Sequence, residues 1–517
     1  MKAKEELKAF RYFFFFLFVF GPAVSLENIR TMLVIIAAVV AIIVAALMFM
    51  LRGKKRPSNA PPNVNIGLPI IGNFMEFGKN PVAFAGKCRE EYGNVYTVPM
   101  MHKHLTFLFG TEASTPFFKL GDEQMSQPEV YGFMTPVFGK GVIYDAEPKR
   151  RYQQMQQAAT GLKKDRLVSY VPKIERETME YFAEWGKKST GEGDLLVALS
   201  ELTIMSATRC LHGDDVRETM FNDVARLFHD LDKGTEPLSF FFPYLPTPAH
   251  ALRDRARLEM VEIFTKVINR RRADTTIKPE DRTDLLQLFI DFKYRDGGRL
   301  NDDQIVGMLI AMLFAGQHTS SVTSTWTAMF LVHNPRCYEK VMEEQARVLG
   351  DLSKKDITFD DIQNMTYLGA CVKEALRMHP PLILLMRMAM CDIETQHDGK
   401  KFTIPKGDIV VTSPAAASRM DSIFTNPNAF EPERFLPGRE EDKKSFNSFL
   451  GFGAGRHACM GQQFGMLQIV CLLSVLVRNF KMEAVTTAFP EPDYTAMVVG
   501  PKNNCTVKYT KLPSAFC

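Results

Sequence analysis

The chain has 517 residues, 46% hydrophobic and 24% charged, fractions that exclude wholesale disorder and collagen-like or repeat composition. Lys and Arg number 63 against 59 Asp and Glu, a net charge of +4; a nucleic-acid partner would require a stronger basic excess or a clustered stripe, so none is expected. The nine cysteines form no C-x-x-C pair, which argues against a zinc ribbon or dithiol site and fits reduced thiols in a cytosol-facing compartment.

Residues 1–56 differ from the rest. Residues 10–20 are nearly all aromatic or aliphatic, with Lys2, Lys4, Lys8 and Arg11 around their start. Residues 32–51 contain no charged or polar side chain. At about 1.5 Å rise per residue such a run covers the roughly 30 Å hydrocarbon core. Arg52, Lys54, Lys55 and Arg56 follow it directly, which by the positive-inside rule leaves the body of the protein in the cytosol. The first run is open to three readings: a signal-peptide core with Ala23-Val24-Ser25 as cleavage site, one arm of a hairpin, or an interfacial anchor. Residues 57–79, with Pro57, Pro61, Pro62 and Pro69, read as an irregular connector that cannot continue a helix. Residues 80–517 read as one large domain without a linker.

That domain is mainly α with small β-sheets. Amphipathic helical patterns cover 168–187 and 252–272. The longest starts at Asn301-Asp302-Asp303, a cap with acidic first-turn residues, and runs to His333, where Asn334-Pro335 closes it. Its stretch 305–315 is apolar all round, which predicts burial. Strand patterns are short: 95–98, 105–108, 409–411 and 507–509.

The most informative segment is Phe449-Leu450-Gly451-Phe452-Gly453-Ala454-Gly455-Arg456-His457-Ala458-Cys459-Met460-Gly461. Alternating glycines allow positive-φ backbone and close approach of a flat ligand. Cys459 precedes an apolar helical run, 462–477, so a thiolate there receives backbone N–H groups and the positive helix end. A dinucleotide cradle is the wrong spacing, because G-x-G-x-x-G and a surrounding βαβ unit are missing. A structural loop with an inert cysteine is the remaining alternative.

The pattern F-x-x-G-x-x-x-C-x-G, filled by Phe452, Gly455, Cys459 and Gly461, resembles the haem-binding loop of the cytochrome P-450 superfamily. Two further features agree with the resemblance. Glu374 and Arg377, at i and i+3 of a helical pattern, with Arg434 downstream in Pro432-Glu433-Arg434-Phe435, match the family's buried structural triad. Gly316 and Thr319, in Ala315-Gly316-Gln317-His318-Thr319, match its oxygen groove. The run from Ala315 to Ser321, with His318 where most of the superfamily carries an acid, resembles the sterol 14α-demethylases. So do residues 131–142, Asp230-Leu231-Asp232, His379-Pro380-Pro381, and Tyr494-Thr495-Ala496-Met497.

The resemblance implies haem b with Cys459 as axial thiolate, and three successive oxidations of a sterol 14α-methyl group that release formate and leave a 14,15 double bond. It implies that Asp230 and His318 relay protons and that Thr319 holds water near bound oxygen. Tyr131, Tyr144, Arg387 and His457 match the family's propionate contacts. Animal and fungal members carry a Lys about eleven residues after the tyrosine matching Tyr144. This chain has Gln153, Gln154, Met155, Gln156 and Gln157 there, so that contact is missing or moved to Lys149, Arg150 or Arg151. The substrate wall matches Phe133, Met134, Phe138, Val142, Ala315, Leu382, Leu384, Leu385 and Met497. Phe133, where animal and fungal members have Leu, correlates with sterols bearing one C4 methyl.

The chain contains no flavin or nicotinamide module, so electrons are expected from a separate NADPH-dependent cytochrome P-450 reductase. Lys149, Arg150, Arg151, Lys163, Lys164 and Arg456 are the basic residues expected near its docking face. The resemblance also implies the endoplasmic reticulum membrane and inhibition by azole-type haem ligands. The rival readings are a haem-thiolate isomerase or dehydratase, which needs no proton delivery to oxygen, and a non-catalytic sterol-binding protein, which needs no Cys459.

Overall fold

The organising element is the helix Asp302–His333, 32 residues long. Asn301 opens it with a reciprocal cap: its side chain accepts the Gln304 N–H at 2.8 Å, and the Gln304 side chain accepts the Asn301 N–H at 3.1 Å. Pro335 begins the next helix, Pro335–Leu349, at a position where a missing N–H is harmless. The central helix is buried over most of its length because helices Leu195–Ala207, Pro248–Ala273, Thr366–Met378 and Gln462–Asn479 pack around it. Its length and apolar character would suit a membrane span, but here they serve the core. Midway, Ala315 is exposed and Gly316, His318 and Thr319 are half-buried, so one face opens there.

The computed structural model describes residues 56–66, 72–100, 103–278, 281–352 and 356–513. The apolar runs at 10–20 and 32–51, and their basic flank up to Lys55, lie outside the described residues. From Asn59 onward the described residues form one compact unit. The stretch read as an irregular connector ends in a helix, Gly72–Lys79. Asn73 secures it, donating to the carbonyls of Val64 and Pro99 at 3.3 and 3.1 Å.

Among the described residues, three small sheets flank the helices. The largest has the strand order Val95–Met100, Lys103–Leu108, Ile409–Thr412, Leu385–Ala389, Met125–Ser126. Lys103–Leu108 pairs parallel with Ile409–Thr412; the other pairs are antiparallel. A second sheet sets Thr506–Lys511 between Thr190–Asp194 and Phe480–Ala484. The third is the hairpin Ile393–His397 with Lys400–Ile404. One apolar core surrounds the central helix and another lies on the five-stranded sheet, and Phe449, at the start of the cysteine segment, packs against both. The candidate site lies along that boundary.

Candidate active site

Cys459 sits at the mouth of a loop with two left-handed glycines, Gly453 at φ 66 and Gly455 at φ 64. A Cβ on Gly455 would strike the Phe118 carbonyl, so only glycine lets the loop lie this close to the Thr115–Lys119 helix. The Cys459 N–H donates to Phe452 O at 2.8 Å, closing the loop. Helix Gln462–Asn479 begins three residues on. Burial pushes the Cys459 thiol up, and the backbone N–H groups of Gly461 and Gln462 pull against it. Cys459 is an exposed residue, and no protein side chain is paired with its sulfur among the described residues.

The helix that follows the loop packs against the central helix, which opens at Ala315–Thr319. A Cβ added to Gly316 would meet nothing within 4 Å. The Thr319 hydroxyl donates back to Ala315 O at 2.6 Å, the ordinary resting bond of a helical threonine. His318 leans on Phe228 and Phe314, ring centroids 5.3 and 5.8 Å away. Its Nε2 lies 3.3 Å from Asp232 Oδ1, an approach without a fully aligned hydrogen bond. The expected partner, Asp230, is not there. Half-buried on helix Phe221–Asp232, it pairs with Lys233 at 3.4 Å and approaches Arg226 at 3.9 Å instead. Two residues rotate a helix by about 200°, so Asp230 and Asp232 cannot both face the central helix. Burial works to raise the Asp232 carboxyl, but His318 and the Thr235 hydroxyl outweigh it and hold the group below the usual range.

A cluster of donors lies near the cysteine loop. The rings of Tyr131 and Tyr144 stack at 5.4 Å, and burial raises both phenols. Arg387 is 5% exposed; one nitrogen donates to Met386 O at 2.7 Å, its guanidinium lies 4.9 Å over Phe117, and its Nε has no partner. His457 Nε2 approaches Asp122 Oδ1 at 3.2 Å. Arg151 pairs with the other Asp122 oxygen, while its Nη1 is buried with no partner. Orphaned cationic donors beside the stacked, half-buried tyrosines fit a group that brings carboxylates with it, as haem does.

The sequence-predicted substrate residues fall on four segments. Phe133, Phe138 and Val142 are buried, and Met134 is half-buried, on the segment that ends at Tyr144. Leu382 is exposed, Leu384 and Leu385 are half-buried, and the Val499 N–H donates to Pro381 O at 2.9 Å, which draws the half-buried Met497 region alongside them. Ala315 opens from the central helix. Phe138 lies 6.0 Å from Phe314 and 6.2 Å from Tyr144, and Phe133 is edge-on to Phe240 at 5.6 Å. Sequence reasoning missed Phe228, Phe240 and Phe314, because apolar residues in helical patterns carry no signal of which cavity they line.

Glu374, Arg377 and Arg434 come together, all with fully buried side chains. Arg377 meets Glu374 through two bonds at 2.7 and 2.9 Å and also donates to the carbonyls of Ser418 and Pro427, both at 2.8 Å. Arg434 reaches Glu374 at 3.0 Å and Glu441 at 2.9 Å. Glu441 was not expected from the sequence.

The cytochrome P450 family model matches residues 61–509. A sterol 14-demethylase from Arabidopsis thaliana is 44% identical, over 93% of this chain and 97% of its own. An obtusifoliol 14-alpha demethylase from Sorghum bicolor is 43% identical, over 94% and 97%. A lanosterol 14-alpha demethylase from Mus musculus is 37% identical, over 86% and 87%. Among solved structures, retinoic-acid-bound cyanobacterial CYP120A1 superposes with a TM-score of 0.76 at 22% identity, covering 88% of this chain and all of that one, a likeness of fold. The class is thus that of haem proteins with a cysteine thiolate on iron. The chain belongs to the cytochrome P450 family, among the relatives that include the sterol 14-demethylases.

Proposed function

We propose that this chain is a sterol 14α-demethylase that takes the 14α-methyl group through three oxidations, releases it as formate and leaves a 14,15 double bond. The observation that carries the reading is the His318–Asp232 pair beside Thr319 on the open face of a buried helix. A dehydratase or isomerase has no use for a proton path there. Bound haem supplies activation of dioxygen, and each oxidation consumes two electrons from NADPH and two protons. Cys459 holds the iron, with Gly461 and Gln462 N–H groups stabilising charge on sulfur. His318 carries a proton between Asp232 and the Thr319 hydroxyl, which exchanges its bond to Ala315 O for one to water. Tyr131, Tyr144, Arg387 and His457 hold the propionates. Arg151 takes the place of the missing lysine, since its Nη1 is buried and otherwise unused. Phe133, Met134, Phe138, Val142, Leu382, Leu384, Leu385 and Met497 exclude water around the rigid sterol, and Phe133 favours one methyl at C4.

Electrons come from a separate NADPH-dependent reductase. Of the six basic residues first considered for its docking face, Arg151 is occupied by Asp122, and Arg150 is paired with Asp296 at 3.0 Å and lies over Tyr294. Lys164 lies over Phe359 at 5.5 Å, which leaves Lys149, Lys163 and Arg456. The body works at the cytosolic face of the endoplasmic reticulum membrane. In support, Phe74, Met75, Leu238, Phe242, Tyr244 and Leu245 are exposed, and Phe74 touches Phe241 at 5.5 Å, which joins their two segments into one apolar patch. Sequons at Asn364 and Asn504 remain unglycosylated in this orientation; glycan on either reverses it.

The test is turnover of a sterol panel by the full chain with a P450 reductase and NADPH. The expected result is a 14-demethylated sterol and one formate per sterol, blocked by an azole. Cys459→Ser is the blank and lacks the red-shifted Soret band of the reduced carbon-monoxide complex. Sterol binding without formate overturns the reading.

A further inference from the structure

The glutamine run after Tyr144 has a use of its own. Gln154 points inward from helix Pro148–Thr160 and is 1% exposed. Its Oε1 accepts the Ile143 N–H at 2.9 Å. Its Nε2 donates to the Gly141 carbonyl at 2.8 Å and to the Tyr294 hydroxyl at 2.9 Å. One side chain thereby satisfies both backbone groups of a tight turn and ties that turn to a second segment.

The turn is strained and needs holding. Ile143 sits at φ 44, a conformation that a β-branched residue rarely adopts, and Gly141 at φ 70. The Asp145 N–H donates to Val142 O at 3.1 Å and the Gly141 N–H to the Asp145 carboxylate at 2.7 Å. Two flanking residues carry the site: Val142, packed on the central helix at Gly307, and Tyr144, stacked on Tyr131. Tyr294 is itself fixed, edge-on to Phe292 at 4.8 Å and under Arg150 at 4.8 Å. Gln153 and Gln157 make parallel ties, accepting the Arg295 N–H at 2.8 Å and donating to Leu288 O at 3.0 Å.

We propose that Gln154 is a positioning residue: it holds the Gly141–Ile143 backbone in its left-handed turn and so sets where Val142 and Tyr144 stand toward sterol and haem. The haem part rests on the reading of Tyr144 given above; the backbone part does not.

The experiment compares Gln154→Ala, Gln154→Glu, Tyr294→Phe and Tyr144→Phe in the holoprotein. Amide exchange of a peptide spanning residues 140–146 is read with haem transfer to apomyoglobin and with a thermal melt. Gln154→Ala leaves a buried N–H and a buried carbonyl unpaired, so exchange quickens roughly tenfold. Haem loss quickens in step, at temperatures well below the melt. Gln154→Glu keeps the acceptor for Ile143 and can take a bond from the Tyr294 hydroxyl but, once ionised, sets an oxygen against the Gly141 carbonyl, so it returns both readings only in part. Tyr294→Phe removes one anchor only and leaves haem loss at the parental rate. Unchanged exchange in Gln154→Ala overturns the proposal whatever the haem does. Faster exchange with parental haem loss, while Tyr144→Phe speeds that loss, overturns the haem part. Parental haem loss in Tyr144→Phe itself sinks the reading of Tyr144 instead, and exchange and sterol affinity then decide for Gln154.

Discussion

Arg434 Nε lies 3.0 Å from Glu374 Oε1 with neither side chain exposed, and Arg377 forks onto the same carboxylate. The two arginines also donate to the carbonyls of Ser418, Thr425, Asn426, Pro427 and Ala429. The cluster therefore shapes the chain leading to the cysteine loop as much as it balances charge. Glu374→Ala leaves two guanidinium groups buried beside each other, a loss of about 3–5 kcal/mol. The expected outcome is protein without bound haem, seen as loss of the Soret band on purification. Arg377→Lys fails in the same way, because one ammonium cannot replace a fork with four partners. A Glu374→Ala variant with full haem content would show that the cluster does not shape the loop.

His212 gives the fold an acid-sensitive point. It is 1% exposed at the end of a π-turn, edge-on to Phe264 at 5.3 Å, with the Leu309 backbone beside it but no aligned hydrogen bond to either ring nitrogen. Burial pushes its pKa down to about 4 from the ordinary 6.5. The unfolded chain thus takes up a proton first as pH falls, and stability drops from pH 6.5 towards 4. Between pH 6.5 and 5 that single site removes about 2 kcal/mol. His212→Phe, which fills the same space, should flatten the fall of melting temperature over that interval. A variant with an unchanged slope would place the acid sensitivity elsewhere.

What the sequence disclosed follows from where its signals are local. The central helix was legible because Asn301, Gln304 and the apolar run up to Ala315 all lie within one continuous segment. The cysteine loop was legible because Gly453 and Gly455 must occupy left-handed backbone at fixed distances from Cys459. Glu374 and Arg377 lie one turn apart, so their pairing could be read. Glu441 could not, since it reaches Arg434 through a loop whose path no local pattern dictates. The family resemblance names Asp230, and no local pattern separates it from Asp232. Both lie at the end of one helix, and the choice depends on how that helix rotates against Phe314 and His318. Residue 72 onward was read as connector because Gly72 and Pro69 mask a short helix that Asn73 secures through distant carbonyls.

Phe133 should govern sterol choice. It is 6% exposed and wedged between Tyr131 at 6.2 Å and Phe240 at 5.6 Å, so its ring cannot swing away from a bulky ligand. Phe133→Leu frees room for about one methyl group, worth roughly 1–3 kcal/mol in an apolar pocket. C4-dimethyl sterols should gain on C4-monomethyl ones in kcat/KM, with little change in the best kcat. An unchanged ranking would remove Phe133 from the specificity argument, and Phe240→Leu would be the next variant to compare.

The relay prediction now turns on Asp232. If His318 passes protons between Asp232 and Thr319, then His318→Ala and Asp232→Asn slow turnover while sterol still binds. A proton path acts after binding, so the loss falls on kcat and leaves the spectral sterol Kd near its parental value. Removing a general acid costs about 10²- to 10⁴-fold, and solvent entering the open face at Ala315 and Gly316 favours the lower end. Asp230→Ala is the internal control. Its contacts are two long ion pairs with the exposed Arg226 and Lys233, worth little, so kcat should stay at the parental value. Asp232→Asn also keeps the shape of the side chain and its contact with Thr235, so a fall in kcat cannot be blamed on a lost helix end. Normal turnover in both His318→Ala and Asp232→Asn would sink the relay. A fall in Asp230→Ala alone would restore the pairing first read from the sequence and require helix Phe221–Asp232 to rotate when sterol binds.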